Sequence, residues 1–216
     1  ISNATGTYAA ARDLEPLGSV YPDYNLGIRN SFNYKNWDLG VLVDIQQGGI
    51  FYSLSHMWGM YSGMLEATAQ TNDRGVNIRE PIAEDGGILL DGVRADVSYN
   101  AEGELVLSNV EENTTYTPGK TWSQLTYHGF GAPSAQSVFD ASYIKIREVT
   151  LGYTFNEELL DGLIKNVRVS AYGRNLLTFG LDMEGFDPEM TVVGSGNIQG
   201  IDGGLQPMSR RFGMSV

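Results

Sequence analysis

Along residues 24–34, apolar and polar positions alternate. Leu26, Ile28, Phe32 and Tyr34 share one parity with Asn30, and Asn25, Gly27, Arg29, Ser31 and Asn33 take the other. A period of two is that of a β-strand with one apolar face. Lys35-Asn36 interrupts the run. Trp37, Leu39, Val41, Val43 and Ile45 then alternate with Asp38, Gly40, Leu42, Asp44 and Gln46, so the two runs read as a hairpin closed by a tight turn. The run 143–155 changes phase midway. Val149, Leu151, Tyr153 and Phe155 have one parity, Ile144 and Ile146 the other, and a bulge near Arg147-Glu148 would restore a single apolar face. Val167, Val169 and Ala171 set against Arg168, Ser170 and Tyr172 predict a strand over 167–177. Phe212, Met214 and Val216 set against Arg211, Gly213 and Ser215 predict the last, over 209–216.

The connections alternate as well. Lys35-Asn36 is short and 156–166 is modest, whereas 48–141 and 178–208 far exceed the ~12–15 residues beyond which structureless loops become uncommon. Outer-membrane barrels combine short periplasmic turns with long extracellular loops. The strand directions agree: 24–34, 143–155 and 209–216 run toward the periplasm, and 37–47 and 167–177 run outward. The expected fold class is therefore all-β, an antiparallel transmembrane β-barrel represented by about five long strands. Extracellular loops are expected at 48–141 and 178–208. Tyr34, Trp37, Tyr153 and Phe155 fall at the periplasmic strand ends, where an aromatic girdle is expected. Arg29, Asp38, Asp44, Arg168 and Arg174 have the parity of lumen-facing groups.

Within the first long loop, Leu54, Met57, Trp58, Tyr61, Met64 and Leu65 recur at helical spacing and predict an amphipathic helix over 54–69. Residues 93–99 and 104–110 flank Asn100-Ala101-Glu102-Gly103 as a second hairpin.

Composition narrows the picture. With 26 acidic and 14 basic residues, the formal charge is −12. Such a chain repels a phosphate backbone, so no nucleic-acid partner is expected. Cysteine is absent, which removes disulfides, thiolate metal sites and thiol nucleophiles. No run of 18 apolar residues predicts a membrane helix, but a transmembrane strand needs only ~9–11 residues. The chain opens on Ile1 without a leader pattern, so a processed or longer N-terminus is expected.

Several segments then match in order. Asp140 through Glu148, continuing to Leu151-Gly152-Tyr153-Thr154-Phe155, resembles a late barrel strand of the SusC/RagA family. Val169-Ser170-Ala171-Tyr172-Gly173-Arg174-Asn175-Leu176-Leu177-Thr178-Phe179 resembles its next strand, and Gly185-Phe186-Asp187-Pro188-Glu189 the loop motif that follows. Tyr21-Pro22-Asp23-Tyr24 and Phe32 to Leu39 resemble the family's earlier hairpin, and Gln46-Gln47-Gly48-Gly49 its exit into a loop. The resemblance runs from about Leu17 to the end. It implies that residues 1–216 are the C-terminal part of a TonB-dependent transporter barrel of ~22 strands. The plug, the periplasmic signalling segment and the TonB box would lie outside this sequence. It further implies the bacterial outer membrane as location and import of oligosaccharides or oligopeptides with a SusD-like surface lipoprotein. The other implied partners are the rest of the barrel and plug, TonB and outer-membrane lipid. No cofactor and no bond chemistry are implied. Barrels of this kind usually end on an aromatic residue. The chain stops at Val216, so a few further residues are expected.

Candidate chemistry is sparse. His56 and His128 lack the further residues of a metal or Ser-His-Asp site and read as solvated loop histidines. Asp182, Glu184, Asp187 and Glu189 offer hard oxygens that suit calcium, but without EF-hand spacing they read as a solvated loop. Gly194-Ser195-Gly196 reads as a flexible loop rather than a dinucleotide fingerprint. Trp58, Tyr61, Trp122, Tyr127 and Phe130 lie in the first long loop, where they would pack the loop, meet the lipoprotein or touch substrate. The competing reading is a soluble, secreted β-sandwich glycan-binding module, in which the apolar faces would pack inward against a second sheet. A hydrolase has no supporting constellation.

Overall fold

The computed structural model describes residues 1–10, 14–128, 132–155, 167–183, 185–190, 199–204, 206 and 208–216. The elements in chain order begin with β1 (Tyr24–Tyr34), β2 (Trp37–Gln47), β3 (Ile50–Ser53) and α1 (Leu54–Ser62). They continue with β4 (Ile88–Leu89), β5 (Val93–Tyr99), β6 (Leu105–Glu112), β7 (Tyr116–Thr117) and α2 (Gly119–Tyr127). The last are β8 (Val138–Asp140), β9 (Tyr143–Thr154), β10 (Arg168–Phe179), β11 (Ile201–Asp202) and β12 (Arg211–Ser215). Short 3-10 turns lie at Glu66–Ala69, Ile82–Glu84 and Ser134–Ser137. The chain forms two compact units, one of residues 1–17 and 52–138, the other of residues 18–51 and 139–216.

The second unit is dominated by a five-stranded antiparallel sheet in the order β1-β2-β9-β10-β12. Its register lines up the alternating residues of every strand. Leu26, Ile28, Phe32 and Tyr34 pair with Ile45, Val43, Leu39 and Trp37. Trp37, Leu39 and Val41 pair in turn with Tyr153, Leu151 and Val149. Residues directly opposite in an antiparallel pair lie on the same face, so one side of the sheet is an apolar surface interrupted by Asn30, opposite Val41.

The phase change in β9 is resolved by a bulge. Leu42 pairs with Glu148, and Val43 already pairs with Ile146, so Arg147 is the extra residue. Ile146 and Ile144 thereby join the apolar face opposite Val43 and Ile45. On the β10 side, Arg174 pairs with Glu148 and Leu177 with Ile146, and Asn175 in this irregularity takes a positive φ of 52°. The β1–β2 turn is the expected Lys35-Asn36, with Lys35 at φ 53°.

The apolar face is uncovered. Leu39, Leu151, Phe179 and Met214 are exposed, and Phe212 is 75% exposed. A soluble sandwich would bury these side chains. At one end of the face Trp37 meets Tyr153 edge-on with centroids 4.8 Å apart, and Tyr153 meets Phe155 at 4.9 Å. Three of the four residues expected to form an aromatic girdle therefore form one cluster, and Tyr34 pairs with Trp37.

The opposite face carries the polar residues, and glycines there make room for them. A Cβ on Gly152 would lie 2.3 Å from Asp38 Oδ1 and 2.6 Å from Arg168 Nη2. One on Gly213 would lie 2.4 Å from the Tyr172 hydroxyl.

The first unit has an ordinary interior. Met60, Ile78, Leu90 and Trp122 form its core, with Ile1, Tyr8, Leu65, Ile88 and Tyr127 packed around them. Met60 is 1% exposed and Ile78 0%. Burying each such side chain contributes ~1.5–3 kcal/mol. Helix α1 is shorter than its apolar spacing predicts. Ser53 caps its start by accepting from the His56 amide at 3.0 Å, and Gly63, at φ 75°, ends it. Gly63 takes the left-handed conformation that ends helices, and the chain resumes as the 3-10 turn at Glu66–Ala69. The expected second hairpin is β5-β6.

Candidate functional site

The polar face of the sheet concentrates the chemistry. Asp38 on β2 and Arg168 on β10 are two strands apart, yet their side chains meet over Gly152 on β9. Nη2 of Arg168 lies 2.6 Å from Oδ2 and Nε 3.0 Å from Oδ1 of Asp38, a bidentate pair. Arg174 donates to Glu148 at 2.7 Å. Arg147 donates to Asp44 at 2.9 and 2.7 Å. The bulge thus places two consecutive charged residues, Arg147 and Glu148, on the polar face. Arg29 lines a groove of ≈ 410 Å³ on this face together with Ser31, Asn33, Asp38, Glu148 and Thr150. All five residues expected to share the lumen-facing parity therefore lie on the polar face, four of them in ion pairs.

A denser cluster sits at the start of β9. Lys145, 4% exposed, points from the strand toward the loop motif Gly185-Phe186-Asp187-Pro188-Glu189. Its Nζ lies 2.6 Å from Asp187 Oδ1 and also bonds Glu189. Arg147 bonds Glu189 as well as Asp44, and the Tyr143 hydroxyl donates to Glu189 at 2.9 Å. The Glu189 amide closes the turn on Asp187 Oδ1 at 3.2 Å. Burial alone would raise the Glu189 carboxyl. Hydrogen bonds from Arg147 and Lys145, with their positive charge, outweigh it and hold the carboxyl below its ordinary value.

This corrects the reading of Asp187 and Glu189 as a solvated loop, while Asp182 is exposed as expected. Asp187 and Glu189 hold an ammonium and a guanidinium, and Asp182 accepts from the Asp140 amide at 3.0 Å. Glu184 and Gly194-Ser195-Gly196 lie outside the described residues. Sequence reasoning missed Tyr143, Lys145 and Arg147 as a group. Their shared parity was the available signal, but its acidic counterpart lies some 40 residues downstream.

The four described loop aromatics divide into two sets. Trp122 is buried in the core of the first unit, and Tyr127 packs against it with centroids 5.8 Å apart. Trp58 is 48% exposed and forms a separate stack, 4.5 Å from His128 and 5.7 Å from Tyr61. Phe130 lies outside the described residues. Neither histidine is simply solvated. His128 is sandwiched with Trp58 and Tyr61. His56 is part-buried, with Nδ1 3.1 Å from Ser137 Oγ and its ring 5.3 Å from Tyr127, and burial lowers its pKa.

A sheet with an uncovered apolar face on one side and a cross-strand charge network on the other is the wall of a transmembrane barrel, here a partial one. Comparison with known proteins agrees. The chain is 26% identical over 212 residues to the TonB-dependent receptor P3 of Formosa agariphila, covering 94% of this chain and 17% of that protein. Its fold is similar to the structure of the RagAB peptide importer in the open-open state. The TM-score is 0.51 at 16% identity, over 91% of this chain and 17% of that one. No family model matches. The SusC/RagA resemblance of the motifs is thus met by a sequence relative and by a fold neighbour, of which this chain spans about a sixth. Both are named for reception or import and neither for catalysis.

Proposed function

We propose that this chain is the C-terminal barrel wall and extracellular loops of a bacterial outer-membrane, TonB-dependent importer. The inverted polarity of the sheet carries the reading. In lipid every backbone group must be bonded within a closed barrel, apolar side chains face outward and polar ones face the lumen. Here one face of five paired strands offers Phe212, Leu151, Leu39 and Phe179 to the surroundings, and the other is crossed by Asp38–Arg168, Asp44–Arg147 and Glu148–Arg174. The open edges at β1 and β12 call for neighbouring strands from the rest of the protein. The plug and TonB box, which couple energy, would belong to that remainder.

The cargo is an oligosaccharide or oligopeptide delivered with a SusD-like surface lipoprotein. The import of peptide by the structural neighbour supports the class. Of the loop aromatics, Trp58 and Tyr61 would meet lipoprotein or cargo, a reading supported by the exposure of Trp58, and Trp122 and Tyr127 hold their own unit together. The test is uptake of labelled oligopeptides and oligosaccharides by cells carrying the intact protein. Accumulation that vanishes when the gene is deleted, and equally when TonB is removed, is the expected result. Accumulation independent of both rejects import.

A further inference from the structure

We infer that the first unit carries a binding site for a carboxylate-bearing ligand, in a groove of ≈ 340 Å³ lined by Tyr61, Arg79, Lys120, Ser123 and Gln124 among others. This rests on the import reading for the identity of the ligand as cargo, but the site itself stands on the residues of one unit.

The chain holds 26 acidic and 14 basic residues, yet no Asp or Glu lines this groove, whereas Arg79 and Lys120 both do. Neither forms an ion pair among the described residues, unlike Lys145, Arg147, Arg168 and Arg174 on the sheet.

The groove's arginine is also pre-organised. Arg79 is held only by neutral groups: Nε donates to Thr68 O at 2.8 Å, and Nη2 to Gly63 O at 2.5 Å and Thr68 Oγ1 at 2.7 Å. The guanidinium is therefore fixed, its charge is unneutralised, and Nη1 has no partner among the described residues. A planar guanidinium held at one edge offers the other to a carboxylate.

Lys120 occupies an unfavourable position. It stands in the first turn of α2, which has no acidic residue there and begins at Pro118 without a side-chain cap. A lysine is unfavourable at that end of a helix, where an acid is favoured. Breaks of such local rules are expected at functional or strained sites. The Tyr61 hydroxyl and Gln124 amide also carry no protein hydrogen bond among the described residues, which adds neutral donors beside the two cations. Trp58 packs on Tyr61 and fixes its ring.

A peptide C-terminus and a uronic acid present the same group, and the experiment separates them. Binding to the intact protein in detergent is measured by calorimetry for four probes. They are a tripeptide with a free C-terminus, its C-terminal amide, an oligogalacturonate and a neutral oligogalactoside. At least one acid is expected to bind about tenfold more tightly than its neutral counterpart, the scale of one charge-assisted hydrogen bond. Lys120→Gln should remove that gain, and Lys120→Arg should keep it. A gain for the peptide alone, the uronate alone or both supports the site and names the source. Equal binding of acid and neutral probes overturns it, as does a gain that survives Lys120→Gln. Loss of cellular uptake dependence with the acid preference intact would sink the import reading and leave this site standing.

Discussion

The two units of this chain handle apolar side chains in opposite ways. In the first, Met60, Ile78, Leu90 and Trp122 withdraw into a core to which both short helices contribute. In the second, equally apolar residues are displayed across five strands, and the charged ones are the groups that find partners. The same residue types obey one rule, burial away from water, under two solvents. The first unit supplies its own apolar medium. The sheet requires one from outside, which lipid would provide in the proposed barrel. A residue's neighbours in sequence matter less to this distinction than what lies beyond its face.

The largest test of the contrast is removal of a core side chain from the first unit. Trp122→Ala should cost about 3–5 kcal/mol there, the usual cost of truncating a buried Trp. Amide exchange across 52–138 should rise while that of β9 and β10 stays the same. Loss of protection in both units alike would show that they are not separately stabilised.

Next comes the charge cluster. Lys145→Met leaves Asp187 and Glu189 part-buried without their ammonium, and stranding a buried charge costs about 3 kcal/mol. Release of 185–190 should be visible as proteolytic sensitivity. The pH dependence follows from the lowered Glu189 carboxyl. A depressed folded value stabilises above the ordinary carboxylate range, and this contribution is lost as pH falls through the folded value. The wild-type loop should therefore stay docked at neutral pH and release only below the ordinary value of 4.5. Release between pH 6 and 8 would contradict the assignment.

A smaller effect is expected at Gly152. Alanine there would thrust a methyl into the Asp38–Arg168 pair, and overpacking of this kind costs about 1–3 kcal/mol. Coupling between Asp38 and Arg168, read by a double-mutant cycle, should fall. Unchanged coupling would mean that the ion pair does not depend on the gap.

Much of the sheet was legible in the chain because a barrel wall leaves a period-two imprint with no tertiary core to blur it. The change of parity between Ile146 and Val149 demanded a bulge, and Arg147 is its extra residue. The first long connection was less legible. Its core draws Ile78 and Leu90 from segments without periodicity, so a folded unit read as a loop with a helix and a hairpin. The helix itself was overextended because Met64 and Leu65 keep the apolar spacing past Gly63, whose role as a stop outweighs it. The Lys145 cluster was hidden for another reason. A strand's polar parity says that Lys145 and Arg147 leave the apolar face, but not that a loop 40 residues on returns to meet them.

Val41 and Leu42 test the central claim most directly. They are adjacent, both apolar, and on opposite faces of β2. Nitroxide labels at each position, in the intact protein reconstituted into vesicles, should divide. The label at 41 should be open to oxygen dissolved in lipid and shielded from a water-soluble nickel reagent, and the label at 42 should show the reverse. Equal accessibility at the two positions, or a lipid-facing label at 42, would contradict a barrel wall.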